Sequence, residues 1–152
     1  MSATGLDVFD KTIHATHVWL GEIMERLDID RQAAWKTLSV VLHALRDRLP
    51  VEIAAHLGAQ LPLLIRGVYY DQFEPARMPD ACRTPEAFTN EIAEQLVGMA
   101  PVDPEDAARV VFALLSHHIS EGQVAKVRFA LPQAVRMLWD GLEARELAAA
   151  GG

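Results

Sequence analysis

The strongest constraint on the fold is that the chain resembles itself at a constant shift of seventy positions. Leu38 to Tyr69, LSVVLHALRDRLPVEIAAHLGAQLPLLIRGVY, aligns without a gap to Ala108 to Trp139, ARVVFALLSHHISEGQVAKVRFALPQAVRMLW. Val40/Val110, Val41/Val111, Leu45/Leu115, Ala55/Ala125, Leu61/Leu131, Pro62/Pro132 and Arg66/Arg136 are identical pairs, and Tyr69/Trp139 is like for like. Two units of this size cannot form an open array. Each has an apolar side to hide, and the nearest shield is the other unit.

Local chemistry places helices in both copies. Asp7 or Asp10 starts the first, with Phe9, Ile13, Leu20, Ile23/Met24 and Leu27 at spacings of three and four. Asp30 is an N-cap for a second helix running to about Arg48, with Ala34/Trp35, Leu38, Val41/Leu42, Leu45 and Leu49 on one face. Pro50 and Pro62 introduce two shorter helices, 51–60 and 63–70, because a proline at a helix start gives up only an N–H that would be unpaired anyway. Asp71 to Arg83, with two prolines and no periodicity, connects the units. Thr84-Pro85-Glu86, Asp103-Pro104-Glu105-Asp106 and the Ser120-Glu121-Gly122-Gln123 capping box open three more helices, and Leu131-Pro132 opens the last, reaching about Leu147. Phe88, Ile92, Leu96 and Met99 form the fifth helix's inner stripe. The expectation is an all-α, compact bundle of about eight helices built from two four-helix repeats: one domain over 7–147, with repeats at 7–70 and 84–147 and a linker at 71–83.

Composition narrows the function classes. With 14 Lys+Arg against 21 Asp+Glu, and only three Lys, the chain lacks the clustered cations that displace counterions from a duplex; no nucleic-acid partner is expected. The longest apolar run, Val110 to Leu115, falls far short of the roughly 20 residues of a membrane helix, so no membrane is expected either. The stretch MSATGLDVFDKT has no basic start followed by an apolar core, so no secretory signal is expected there, and Cys82 is the sole cysteine, which suits a reducing, cytoplasmic setting. Cys82 reads as a loop residue rather than a redox thiol.

THVWLGEI (Thr16–Ile23), VLHALRDRLPVEIAAHLGAQLPLLIRGVYY (Val41–Tyr70) and SHHISEGQVAKVRFALPQAVRMLW (Ser116–Trp139) together resemble a bacterial family known as domain of unknown function 2267. The resemblance runs from about Phe9 to Trp139. It implies an all-helical, internally duplicated cytosolic protein, and it supplies no activity, cofactor or catalytic residue.

Candidate chemistry is sparse. Arg66 and Tyr69 lie three apart on a helix, where a guanidinium can cover the ring, and Arg136 and Trp139 repeat the spacing. They fit either a partner surface or a scaffold position common to both copies. Tyr70 and Phe73 have no counterpart in the second copy and, with Met78, look exposed, which makes them the better interaction candidates. Arg46-Asp47-Arg48 reads as a helix terminus favoured by its dipole, or as a grip on an anion. His14 and His17 are weak metal candidates; His17 falls where the apolar stripe predicts a partly buried ring, and adjacent His117 and His118 should point apart. No Glu-x-x-His or His-Glu-x-x-His spacing, phosphate loop or nucleophile elbow is present, and no catalytic residue, metal or cofactor is expected. The leading expectation is a non-catalytic protein-interaction module, acting on a protein partner or by self-association. The alternative is a small-molecule or metal-binding protein with its pocket between the repeats.

Overall fold

The computed structural model describes residues 3–80, 84–99 and 102–150, which form eight α-helices and one short 3-10 turn, with no strand among them. In chain order these are α1 (Asp7–Leu27), α2 (Arg31–Asp47), α3 (Val51–Ala59), α4 (Leu63–Tyr70), the turn Pro75–Arg77, α5 (Pro85–Gln95), α6 (Pro104–His118), α7 (Glu121–Ala130) and α8 (Gln133–Ala150). The all-α fold is as the periodicity implies, and Val110 to Leu115 is helical. Cys82 and Arg83 lie outside the described residues.

The caps explain where the helices begin. Asp30 accepts from the Ala33 amide at 2.8 Å, Thr84 from Ala87 at 3.1 Å, and Asp103 from both Glu105 and Asp106; each carboxylate or hydroxyl satisfies amides that the first turn leaves without an intrahelical acceptor. Pro85 and Pro104 occupy first helical positions. Pro50 and Pro62 instead stand one residue earlier, as extended N-caps. The Ser120 box is only half local. Ser120 Oγ accepts from Gln123 N–H at 3.3 Å, but the Ser120 amide donates to Gln60 Oε1 at 3.2 Å, while Gln60 Nε2 donates back to Ser120 Oγ. That exchange pins the end of α3 to the start of α7.

Helices α2 and α6 occupy the centre. They pack on each other; α1 lies against α2, α4 and α6, α5 against α2 and α6, and α3 against α7. Leu38, Val41, Leu42 and Leu45 of α2 and Val111, Phe112, Leu114 and Leu115 of α6 are buried in one continuous core. Phe112 stacks on Trp139 at 4.5 Å and on Phe88 at 6.0 Å, and the Arg48 guanidinium lies 5.2 Å from the Phe88 ring centroid. Burying one such Leu or Phe contributes roughly 1.5–3 kcal/mol. The core is thus shared across the linker rather than divided by it.

Two expectations shift by a residue or a turn. In α1 the buried positions are Thr12, Thr16, Trp19, Leu20 and Ile23, and Phe9 and Ile13 face solvent. Two threonines can be tolerated inside because both hydroxyls are used: Thr16 Oγ1 donates to Thr12 O at 2.7 Å, and Thr12 Oγ1 accepts from the Leu64 amide at 3.0 Å. In α5 the helix stops at Gln95, with Leu96 its C-cap, and Gly98 takes a φ of +84° in the turn that follows. Met99 therefore packs on the core from outside the helix.

Candidate functional site

The arginine and aromatic candidates are spent on the scaffold. Arg66 Nε donates to Gly58 O at 3.0 Å, and its Nη2 to Ala59 O at 3.1 Å and Leu61 O at 3.0 Å. Arg136 does the same for Arg128 O, Phe129 O and Leu131 O, at 2.8, 3.0 and 3.2 Å. Each guanidinium thus gathers carbonyls from the C-terminal turn of the preceding helix, α3 or α7, and from the residue that leads into the next. The expected stacking of Arg66 on Tyr69 and Arg136 on Trp139 is corrected: the forked carbonyl bonds set the direction of each guanidinium, and Arg136 lies over Phe129 at 5.5 Å. Tyr69 is fully buried and donates to Ala54 O at 2.6 Å; burial, reinforced by Tyr70 beside it, raises its phenol pKa far above the ordinary value. Trp139 Nε1 donates to Ser116 Oγ at 2.7 Å.

Arg46 is 2% exposed and serves α4 in the same manner. Its Nη1 donates to Tyr69 O and, at 2.8 Å, to Asp71 O, while Nε pairs with Asp47 at 2.9 Å. One turn earlier, His43 Nε2 donates to Val68 O at 2.6 Å. Arg48 is also buried, between Ala44 O and the Glu91 carboxylate, 3.0 Å from each. Tyr70, Phe73 and Met78 are half-buried rather than exposed. Tyr70 meets Tyr69 and Phe73 edge-on at 5.0 and 5.2 Å, and Phe73 receives the Arg46 guanidinium at 5.6 Å. Asp80 N donates to Asp47 O at 2.7 Å. The connector is laid down along α2 by these bonds.

It does wall a polar cleft of about 520 Å³, bounded by Lys36, Ser39 and His43 of α2, Asp71 and Glu74 of the connector, and Glu91 of α5. Arg46, which also lines it, is already committed to carbonyls and to Asp47.

A second depression, of about 620 Å³, is apolar and opens along the surface where the start of α1 meets the α3–α4 junction. Val8, Thr12 and Ala15 form one side, Leu61, Pro62 and Leu63 the other, with Asp7 and Lys11 among the lining residues. Val8 is 54% and Leu63 50% exposed. The amide–hydroxyl bond between Leu64 and Thr12 holds the two sides together. Nothing in the periodicity points to this groove, since Val8 and Leu63 each look like one more apolar residue on an amphipathic helix.

The histidines rearrange most. His14 and His17 are both exposed; the core direction of α1 passes through Thr16 and Leu20, so the predicted burial of His17 is corrected. His117 and His118 do not point apart. His118 Nε2 donates to Glu22 Oε1 at 2.7 Å, and His117 Nδ1 donates to Glu22 Oε2 at 3.2 Å. Burial raises the Glu22 pKa, but the hydrogen bonds from the two histidines outweigh that and hold it below the usual carboxylate value. Glu22 stands 95 positions before His117, and no local spacing signals the pairing.

A family model described as an uncharacterized conserved protein, DUF2267, matches residues 16–138. The chain belongs to that family. No curated protein matches it. The DUF2267 match takes in α2, α3, α4, α5, α6 and α7, together with all the arginine caps described above. The first turns of α1, which carry Val8 and Lys11 of the apolar groove, precede it.

Proposed function

We propose that this DUF2267 chain is a non-catalytic protein-interaction module, which seats an apolar helix or segment of a partner protein in the groove between α1 and the α3–α4 junction. The observation that carries this reading is the half-exposure of Val8 and Leu63 on opposite sides of that groove. Apolar side chains held open to water across a continuous depression gain free energy when a partner covers them. A small molecule is ordinarily enclosed over most of its surface and fixed by a few converging polar groups. The groove is open and offers mainly apolar walls, which favours a protein segment. The polar cleft under the connector is where a small-molecule reading would apply, and it is the weaker one because Arg46 in its wall is already engaged. A single cysteine in the sequence agrees with a reducing, cytoplasmic setting.

A photo-crosslinking residue at position 63, with another at Val97 as an exposed control, tests the reading in the full chain in its host. Discrete adducts at 63 that disappear in Val8→Asp support it, and adducts to the same polypeptide identify the occupant as a second copy. Adducts no different from those at 97, or insensitive to Val8→Asp, reject it.

A further inference from the structure

We infer that Glu22, His117 and His118 form a binding site for a divalent late first-row transition-metal cation of the zinc type. Glu22 projects from α1, and the two histidines are the last residues of α6. Glu22 Oε1 lies 2.7 Å from His118 Nε2 and 3.1 Å from His117 Nδ1, and one ligand atom from each of the three residues lies within 4.8 Å of the others.

Ligands bonded at about 2.0–2.2 Å to a tetrahedral cation stand roughly 3.3–3.6 Å from one another. Two sides of the triangle are already near or below that spacing. The third closes by a turn of the His117 ring, which is solvent-exposed and held in place by Glu22 and by the His118 ring beside it. His118 is held more firmly: Trp19, one turn before Glu22, stacks on it with centroids 4.9 Å apart and planes 20° apart. One imidazole is thus fixed and the other adjustable about a common carboxylate.

The donor set selects the cation. Two imidazole nitrogens and one carboxylate oxygen suit zinc, nickel or cobalt, whereas magnesium and calcium prefer all-oxygen surroundings. On binding, Nε2 of His118 and Nδ1 of His117 present lone pairs in place of the protons they now direct at Glu22. Each ring keeps one proton, on its other nitrogen. Three protein ligands leave a coordination position open to water or to an exogenous ligand.

Calorimetry of the full chain with zinc chloride in a non-coordinating buffer, with cobalt chloride absorption as a second readout, tests the assignment. One equivalent is expected to bind. His118→Ala and Glu22→Gln should each weaken binding about tenfold or more, while His14→Ala and His17→Ala leave it unchanged. Far-UV circular dichroism confirms that the variants remain folded. Absence of binding up to millimolar metal, or one-equivalent binding that survives the joint His117→Ala/His118→Ala change, overturns the proposal.

Discussion

Arg66 and Arg136 close the same three hydrogen bonds at a constant shift of seventy positions, Arg66 on the carbonyls of residues 58, 59 and 61 and Arg136 on those of 128, 129 and 131. A forked guanidinium that reaches three backbone acceptors cannot be replaced by a point-like ammonium. Arg66→Lys and Arg136→Lys should therefore each destabilise the fold, and Arg66→Met by about 1.5–3 kcal/mol, the worth of hydrogen bonds from a charged donor. Urea unfolding followed by circular dichroism measures the change.

Around this shared frame the two parts diverge in compensating ways. A Cβ at Gly58 would stand 2.7 and 2.8 Å from ring carbons of Tyr70, which crosses the helix there. At the positions seventy later, Arg128 and Asp140 form an ion pair instead. Gly58→Ala should cost about 1–3 kcal/mol through overpacking. Adding Tyr70→Ala to it should cost less than the two single changes summed, because the second removes what the first strikes. Thermal melts of the three variants form the cycle.

The connector depends on Arg46. Replacing it with Met leaves the carbonyls of Tyr69 and Asp71 without their buried donor and Asp47 without its partner. The expected loss is about 1.5–3 kcal/mol, the worth of buried carbonyls losing a charged donor, since Asp47 is partly exposed and its lost ion pair adds little. Hydrogen exchange should show faster exchange over 71–80 than over α6, whereas a global effect alone would accelerate both equally.

Glu22 supplies a pH dependence. Its folded-state pKa is lowered, so its contribution is present above the unfolded carboxylate value of about 4.3 and is lost as pH falls through the depressed folded value. The group is partly solvated, which limits the effect to below about 1 kcal/mol. In metal-free buffer, Glu22→Gln should flatten stability against pH over this acidic window and leave the remaining acid sensitivity of the chain in place.

The helices were legible in the sequence because their signals are local: Asp30, Thr84, Asp103 and Ser120 each cap the helix expected of them. The partner of an arginine is another matter. From sequence, Arg66 could as well cover Tyr69 as fork onto the carbonyls at the end of α3, since both lie within reach of one long side chain. Phe9 and Ile13 have helical spacing, yet they lie off the buried line set by Thr12 and Thr16, whose burial depends on hydroxyl bonds that hydropathy does not register. The cluster of Glu22 with His117 and His118 arises only when α1 packs on α6, and the apolar groove only when α1 packs on α4. Both belong to tertiary structure and leave no trace in spacing.

The central claim is that the two parts of the chain bury their apolar faces on each other in one core, and Trp19 stands in the first part and Trp139 in the second. Equilibrium urea unfolding should be followed by fluorescence in two variants, one keeping only Trp19 (Trp35→Phe with Trp139→Phe) and one keeping only Trp139 (Trp19→Phe with Trp35→Phe), and by circular dichroism in both. A shared core predicts that within each variant fluorescence and circular dichroism trace one coincident transition. Fluorescence that departs from the helical signal, with the part around Trp19 unfolding while the part around Trp139 persists or the reverse, would contradict it.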